Sequence, residues 1–156
     1  AGGWSEAVAI STAARFAYPR IATLRSGRLQ ITAFDLPSRR TVRFQSRDRN
    51  LSWEGLPVTG IATDLQYADV ADHAGTLFAA GLDAGAIWCE FSTDEGATKA
   101  EFQGGATRKR VADATGTPKP TIEILGSRVL VVSFTRGSAV VDYVSRDGGE
   151  TWAGVG

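Results

Sequence analysis

Three aspartates recur in one short pattern, and they are the first residues to consider for chemistry. The pattern is Ser-x-Asp-x-(Gly/Asn)-x-(Ser/Thr)-(Trp/Lys), and it occupies residues 46–53, 92–99 and 145–152. The copies therefore begin 46 and then 53 residues apart. This spacing is close to the roughly 40–50 residues of one four-stranded propeller blade. An aspartate at a fixed place in a repeat either serves a site in each unit or builds the unit itself.

The residue types around these aspartates favour a structural turn. The carboxylates of Asp48, Asp94 and Asp147 are placed to accept hydrogen bonds from backbone N–H groups two or three residues further on. Glycine at the fifth position adopts the left-handed backbone at little cost, and asparagine tolerates it next best. We therefore predict a structural hairpin, with catalysis or ligand binding by the aspartates as the alternative. The predicted hairpin residues are Ser46, Asp48, Trp53, Ser92, Asp94, Gly96, Ser145, Asp147, Gly149 and Trp152.

The middle copy of the pattern departs from the other two at its last position. Trp53 and Trp152 are expected to lay an apolar ring over their own units. Lys99 stands at the equivalent position of the middle copy, and Phe102 follows three residues later. We therefore expect Phe102 to provide the missing apolar cover.

Side chains that commonly carry catalysis or bind metals are scarce. The chain has one histidine, His73, and one cysteine, Cys89. A His/Cys zinc site and a Ser-His-Asp triad are both poorly supplied, so we expect no metal and no cofactor. Cys89 alternates with Ile87 and Phe91, which predicts a buried strand residue. The basic triplet 108–110 is either a solvated loop or a contact for an anionic partner.

The charge balance of the chain excludes some classes of partner. Lys and Arg together number 17, as do Asp and Glu, so the formal net charge is zero. No long-range attraction toward nucleic acid follows from such a balance. No apolar run approaches the ~20 residues of a membrane-spanning helix. We therefore expect neither nucleic-acid binding nor membrane insertion.

Short alternating segments before each aspartate pattern predict the elements that position it. Each unit has a short strand, a turn with glycine, a buried strand and a third strand that ends at the pattern. Apart from one helical turn considered within 62–71, helical periodicity is almost absent. The prediction is an all-β chain of three four-stranded antiparallel units. First strands are centred near Ile21, Val70 and Ile122, second strands span about 29–34, 76–80 and 129–134, and third strands span 41–45, 86–91 and 139–144.

The three patterns, together with the strands before them, resemble the Asp-box (BNR-repeat) family. That family includes sialidases and many non-enzymatic propellers, so the resemblance implies β-propeller blades over nearly the whole chain. It implies a fold more firmly than a function, because function belongs to sites carried on a fold. Three blades do not close a ring, since propellers have typically four to eight blades.

One segment resembles the sialidases more narrowly. Residues 18–24, Tyr-Pro-Arg-Ile-Ala-Thr-Leu, are similar to the sialidase Arg-Ile-Pro segment, whose arginine pairs with the substrate carboxylate. The resemblance makes Arg20 the one candidate for a catalytic-site residue. The alternative is an arginine at a strand end that is solvated or paired with a neighbour. Sialidases hold a catalytic aspartate and another arginine in a longer connection, which is here a short one containing Asp35 and Arg39.

The two ends of the chain suggest how a ring is completed. Residues 1–10 have the pattern of a blade's outer strand, whereas only four residues follow Trp152. We expect the 1–10 strand to pair beside residues 139–144 of a C-terminal blade and to close the ring between chains. The simplest closed form is a head-to-tail pair with six blades and two-fold symmetry. Other domains or a larger assembly are the alternatives, and 1–156 is a single partial-ring domain in each case.

Two functions are compatible with these features. The first is a non-catalytic structural or interaction module of a larger assembly, such as a surface or virion complex, because the fold signature is complete and the catalytic set is not. An extracellular or virion-surface location fits this role. The second is a glycan-directed protein, either a lectin or a sialidase-like glycoside hydrolase domain. Its motives are Arg20 and the tryptophans able to stack on sugar rings, Trp4, Trp53, Trp88 and Trp152.

Overall fold

The computed structural model describes residues 10, 15–46, 52–57, 59–126 and 128–155. Within these residues the chain forms three four-stranded antiparallel sheets and no helix. The predicted all-β fold is therefore confirmed, while the segment considered for a helical turn forms turns followed by a strand. The strands are β1 (Phe16–Thr23), β2 (Leu29–Asp35), β3 (Arg40–Ser46), β4 (Trp53–Gly55), β5 (Gln66–His73), β6 (Thr76–Asp83), β7 (Ala86–Ser92), β8 (Lys109–Asp113), β9 (Thr121–Ile124), β10 (Leu130–Arg136), β11 (Ala139–Ser145) and β12 (Ala153–Val155).

Each sheet is one blade, and its strands follow one another in chain order. Blade 1 contains β1 to β4, blade 2 contains β5 to β8, and blade 3 contains β9 to β12. The first strands of the three blades lie side by side, so β1, β5 and β9 are the inner strands. Alternation of side chains across each sheet lets one face of a blade pack on the next. This stacking of neighbouring sheets is the geometry of a propeller.

The strand register makes the three blades comparable residue by residue. Leu77 pairs with Ser92 in blade 2, and Leu130 pairs with Ser145 in blade 3. Counting along the strands from these pairs gives sets of equivalent residues, with one residue from each blade. Five such sets are Tyr18, Tyr67 and Lys119; Pro19, Ala68 and Pro120; Arg20, Asp69 and Thr121; Thr32, Ala80 and Ser133; and Thr41, Ile87 and Val140.

The two interfaces between blades differ in chemistry. Blades 2 and 3 meet through an apolar layer that includes Phe78, Ile87 and Cys89 from blade 2. The face of blade 1 that meets blade 2 is instead polar and buried, and comprises Gln30, Thr32, Thr41, Arg43 and Gln45. Buried polar groups are stable only when their hydrogen bonds are made, so this face is more demanding in geometry than an apolar one.

Arg43 illustrates the cost of that polar layer. Burial lowers the pKa of Arg43 to about 10, although the charges of Asp94 and Glu90 act in the opposite direction. Its guanidinium donates a hydrogen bond to the carbonyl of Thr59 at 2.9 Å, which ties blade 1 to the segment that leads into blade 2.

Blade 3 has its own outer strand at the edge of β11, where we expected residues 1–10 to pair, and this part of the closure hypothesis is therefore wrong. β12 pairs with β11 at Asp142, Tyr143 and Val144, and it is as short as β4 of blade 1. The remaining part of the closure hypothesis concerns residues 1–9, which lie outside the described residues. In the part of the chain that is described, no helix is long and apolar enough to cross a membrane.

Candidate functional site

The second and third Asp-box turns share one hydrogen-bonding scheme. In the third, the Ser145 hydroxyl donates to Asp147 at 2.7 Å and accepts from the Gly149 amide at 2.7 Å. The Asp147 carboxylate also accepts from the Thr151 amide at 3.0 Å and from its hydroxyl at 2.5 Å. Every acceptor of this carboxylate is thus directed into the turn, which leaves it poorly placed for catalysis.

Ser92, Asp94, Gly96 and Thr98 repeat this scheme with distances between 2.6 and 2.9 Å. Partial burial acts to raise the pKa of Asp94, but the hydrogen bonds from Ser92 and Thr98 outweigh it and lower that pKa to about 2. In blade 1 the described residues show Ser46 buried, with its hydroxyl accepting from the Leu29 amide at 2.9 Å. Asp48 lies outside the described residues.

Lys99 replaces an aromatic ring with an ion pair. Its ammonium donates to the fully buried carboxylate of Glu90 at 2.9 Å and to Asp64 at 2.5 Å. The apolar cover that we expected Phe102 to give this turn stays a prediction. Phe102 packs against Phe91 at 4.7 Å between ring centroids and lies beside Gly149 of the third turn. The turn of blade 2 is therefore stabilised by an ion pair, because the residue of β7 that contacts Lys99 is the carboxylate Glu90.

The inner strands of blades 1 and 2 begin with the same irregularity, at the end of the blades opposite the Asp-box turns. Tyr18 has a φ of 53° and Tyr67 a φ of 54°. Both residues fall where the strand register shifts, so two residues oppose one in the neighbouring strand. Left-handed backbone is rare for bulky residues, and bulges of this kind re-aim side chains near functional sites. Arg39, Ala62, Ala74, Ala84 and Glu95 also have positive φ, but the two tyrosines lie within strands and at equivalent positions. This makes their end of the inner strands a candidate site.

The two tyrosines are part of an aromatic cluster that carries one cation. The rings of Tyr18 and Tyr67 meet edge to face at 5.5 Å, and Phe34 stacks on Tyr67 at 4.2 Å. Lys119 of blade 3 places its ammonium 3.8 Å from the centroid of the Tyr18 ring. Tyr18 keeps 44% of its surface exposed, so a ligand has access to it. Exposed rings beside polar groups suit the binding of molecules with both apolar and polar faces.

Arg20 and Asp69 stand two residues after the tyrosines, in equivalent positions of blades 1 and 2. Burial raises the pKa of Asp69, although hydrogen bonds from the Ile122 and Val70 amides and the charge of Arg20 act to lower it. The Ile122 amide lies 3.2 Å from Asp69, which links blade 2 to blade 3. A half-buried arginine next to a carboxylate supplies both donors and acceptors for a polar ligand. We call Tyr18, Arg20, Tyr67, Asp69 and Lys119 the inner-strand cluster.

Asp35 and Arg39 do not join this cluster as a catalytic pair. Asp35 is buried at the end of β2, and its carboxylate lies 2.8 Å from the guanidinium nitrogen of Arg15. It also accepts a hydrogen bond from the Ser38 amide at 3.4 Å, while Arg39 is an exposed turn residue with a φ of 55°. Asp35 is thus engaged in shaping the β2–β3 connection.

The other candidates from the sequence are engaged in the fold. Trp88 donates to the Asp83 carbonyl at 3.1 Å, and Trp152 donates to the Gly149 carbonyl at 3.0 Å. Each residue of the basic triplet forms an ion pair with a carboxylate of the same chain: Arg108 with Asp83, Lys109 with Glu150 and Arg110 with Asp113. Cys89 is fully buried, and its burial raises the pKa of its thiol. Trp4 lies outside the described residues.

Of the residues in the inner-strand cluster, the sequence resemblance indicates Arg20, but not Tyr67, Asp69 or Lys119. An alignment of the repeats carries the signal, because Tyr18-Pro19-Arg20-Ile21 corresponds to Tyr67-Ala68-Asp69-Val70 and Lys119-Pro120-Thr121-Ile122. In each blade, a charged or aromatic residue stands two places before the equivalent polar residue, which is Arg20, Asp69 or Thr121. This pair of positions identifies the start of the inner strand, where the candidate site lies.

Fold and site together define the chain as three blades of a β-propeller with a candidate site at the start of the inner strands. No protein-family model matches the chain, and no curated protein matches it. Solved structures do match. One is an α-L-arabinanase of Penicillium chrysogenum complexed with arabinobiose, with a TM-score of 0.62, 18% identity, and coverage of 89% of this chain and 48% of the enzyme.

Two further structures agree with that comparison. The GH93 α-L-arabinofuranosidase of Fusarium graminearum, complexed with arabinobiose, matches with a TM-score of 0.64 and 16% identity over 89% of this chain and 47% of its own. A Hadza microbial sialidase matches with a TM-score of 0.56 and 23% identity over 85% of this chain and 28% of its own. The chain thus spans about half the length of the arabinanase and of the arabinofuranosidase. These similarities show a shared β-propeller fold.

Proposed function

We propose that this chain is a glycan-binding module built on three blades of a sialidase-like β-propeller, and that it does not cleave glycosidic bonds by itself. The observation that carries the proposal is the inner-strand cluster, in which two strained, equivalent tyrosines lie with Arg20 and Asp69 at one end of the inner strands. Strain of this kind persists where the surrounding structure enforces it, and it is concentrated at ligand sites.

The chemistry of the cluster suits a saccharide. The exposed ring of Tyr18 offers a flat apolar surface, and Lys119 holds a positive charge against it. Arg20 contributes a planar set of donors, which matches carboxylate geometry, and Asp69 contributes acceptor oxygens. The matched solved structures are an arabinanase, an arabinofuranosidase and a sialidase, which supports a sugar as the ligand.

The absence of turnover follows from the carboxylates that this cluster contains. Glycoside hydrolysis commonly uses two carboxyl groups in separate roles, with a fixed distance between them. Among the five residues of the cluster Asp69 alone is an acid, and its oxygens accept the amide hydrogens of Val70 and Ile122. Glu123 is a neighbouring acid, exposed on β9, whose charge acts to raise the pKa of Asp69. Asp35 is held by Arg15. We therefore expect binding without hydrolysis.

Isothermal titration calorimetry with arabinobiose and with a sialoside, which measures the affinity for each sugar, tests this proposal. Arg20→Ala is expected to weaken binding by about tenfold or more, since charge-assisted hydrogen bonds are worth ~1.5–3 kcal/mol. Arg25→Ala is the matched control, because Arg25 lies beyond the other end of β1 and its side chain donates to the carbonyl of Ala74. Fluorogenic sialosides and arabinosides should show no turnover above background. Hydrolysis that disappears in Arg20→Ala would show that the chain is an enzyme.

A non-catalytic assembly module is the second candidate, and one observation favours it. The outward face of blade 3 exposes Val140 at 70% and Val155 at 57% of their surfaces. Apolar side chains of this size are normally covered by the next blade of a propeller, so this face suits a further protein surface. The inner-strand cluster and this face adjoin, because Lys119 of the cluster and Val140 line one surface depression. A protein that covers the face would therefore lie beside the cluster.

A further inference from the structure

The backbone around Tyr67 lacks the ladder partners that normally satisfy it. In the pairing of β5 with β6, Gln66 opposes Leu82 and Asp69 opposes Ala80, so Tyr67 and Ala68 together oppose Gly81. Ala68 is buried, with 3% of its surface exposed. A buried amide and carbonyl without partners would cost free energy comparable to lost hydrogen bonds. The bulge that aims Tyr67 therefore needs support from outside its own sheet.

Two threonines of blade 1 provide that support. The Ala68 amide donates to the hydroxyl of Thr41 at 3.1 Å, and the Ala68 carbonyl accepts from the hydroxyl of Thr32 at 2.9 Å. Both hydroxyls are buried in the polar face of blade 1. The Thr41 amide also donates to the Leu65 carbonyl at 3.0 Å, which fixes the chain just before the bulge.

Blade 3 serves as an internal comparison. Its residue equivalent to Ala68 is Pro120, which has no amide hydrogen to satisfy. On blade 2, the positions equivalent to Thr41 and Thr32 are Ile87 and Ala80, which carry no hydroxyl. Lys119, equivalent to Tyr67, is absent from the residues with positive φ among those described. The proline that follows it does not account for this, since Tyr18 also precedes a proline and has a φ of 53°. In the interface between blades 1 and 2, the two threonine hydroxyls therefore accompany the left-handed Tyr67. In the interface between blades 2 and 3, both the hydroxyls and a left-handed residue at this position are missing.

We propose that Thr32 and Thr41 are positioning residues of the inner-strand cluster, which hold Tyr67 in its left-handed conformation by clamping both polar groups of Ala68. The clamp orients the Tyr67 ring between Phe34, which stacks on it at 4.2 Å, and Tyr18, which meets its edge at 5.5 Å. This inference rests on the proposed function for its binding consequence. Saccharide recognition at a site of this kind depends on an interface between blades, not on the site strand alone.

Thr41→Val tests the clamp, since valine keeps the shape of threonine and removes the hydroxyl. Thr41→Ser keeps the hydroxyl and serves as the rescue variant. Thr63→Val is the matched control, because Thr63 is also buried and donates to a backbone carbonyl, that of Gly60 at 3.0 Å, which does not belong to the bulge. The readouts are hydrogen exchange of the Ala68 amide, corrected for global stability by the slowest amides, and affinity for the saccharide that binds the parent.

Thr41→Val is expected to speed Ala68 exchange and to weaken binding, each by about tenfold, as the loss of one buried hydrogen bond implies. Thr41→Ser should restore both, and Thr63→Val should change neither. Parent-like protection of Ala68 in Thr41→Val overturns the clamp, and this readout decides even if no saccharide binds. Faster exchange with unchanged affinity overturns the positioning role.

Discussion

Asp94 and Asp147 show how one side chain organises a turn. Each carboxylate accepts two hydrogen bonds from the threonine four residues later and one from the serine two residues earlier. All of these donors favour the ionised form of the acid. Hydrogen bonding lowers the pKa of Asp147 to about 2, against the opposing effect of burial.

The low pKa of Asp147 predicts a loss of stability in acid. A carboxylate whose folded pKa lies below its ordinary value near 3.9 stabilises the fold above about pH 4, and this contribution is lost as the pH falls toward 2. Asp147→Asn should lower the free energy of unfolding by about 1–2 kcal/mol at pH 6 and by less at pH 2. Thr151→Val, which removes one donor, should show the same trend. Urea unfolding at both pH values checks this, and a gap that does not change with pH contradicts it.

Lys99 gives a second prediction for a single residue. Glu90 is fully buried and accepts hydrogen bonds from Lys99 at 2.9 Å and from the Ala62 amide at 2.8 Å. Removing one partner of a buried pair leaves a charge without compensation, so Lys99→Ala should destabilise the fold by about 3–5 kcal/mol. Changing Glu90 to Gln in the same chain should recover part of that loss, because it removes the buried charge. Thermal unfolding measures both, and equal melting of parent and Lys99→Ala would disprove the pairing.

The turn between β6 and β7 contains a residue that is unfavourable for its backbone conformation, which lowers the stability of blade 2. Ala84 and Gly85 connect β6 to β7 with φ values of 46° and 75°, and both therefore have the left-handed backbone of a type I′ turn. Alanine is unfavourable at such a position, where asparagine is the usual residue.

Ala84→Asn is therefore expected to stabilise the protein by about 0.5–1 kcal/mol. Gly85→Ala should destabilise it by about 1 kcal/mol or more, because a side chain there is strained by φ although no atom obstructs it within 3.9 Å. Gly126→Ala is the control, since Gly126 also has open space around it and no left-handed φ. Chemical unfolding of the three variants checks the order, and a loss in Ala84→Asn would contradict it.

The stacking of the three sheets determines which faces of the blades are buried and which are exposed. Interfaces between blades 1 and 2 and between blades 2 and 3 are buried, whereas blade 3 presents Val140, Val155 and Asp142 outward. The arabinanase and the arabinofuranosidase that match this chain are about twice its length. Further blades, from another copy or from other domains, are therefore expected to cover this face.

Sedimentation tests that expectation. If a second copy covers blade 3, the native particle should have about twice the 16.5 kDa mass of one chain. Val140→Glu should then yield single chains with an unchanged far-ultraviolet circular dichroism spectrum, since a buried charge opposes association. Leu36→Glu is the control, because Leu36 is 54% exposed in the β2–β3 connection and lies away from this face. A parent that sediments as a single chain contradicts pairing between copies.

The sequence by itself determined the repeat, the order of the strands and the place of the turns, because these depend on neighbours within a few residues. It did not determine which amide each aspartate binds, since Asp94 and Asp147 accept from the residue four places on and not two or three. Alternation of side chains and the fixed Ser-x-Asp spacing are local signals, and a repeat states them three times. Only the tertiary structure decided which residues meet across blades. Tyr67, Asp69 and Lys119 come together because three separate inner strands begin at one end, and Thr41 reaches Ala68 because sheets stack face to face. Such contacts depend on distances between sheets, which no local pattern encodes.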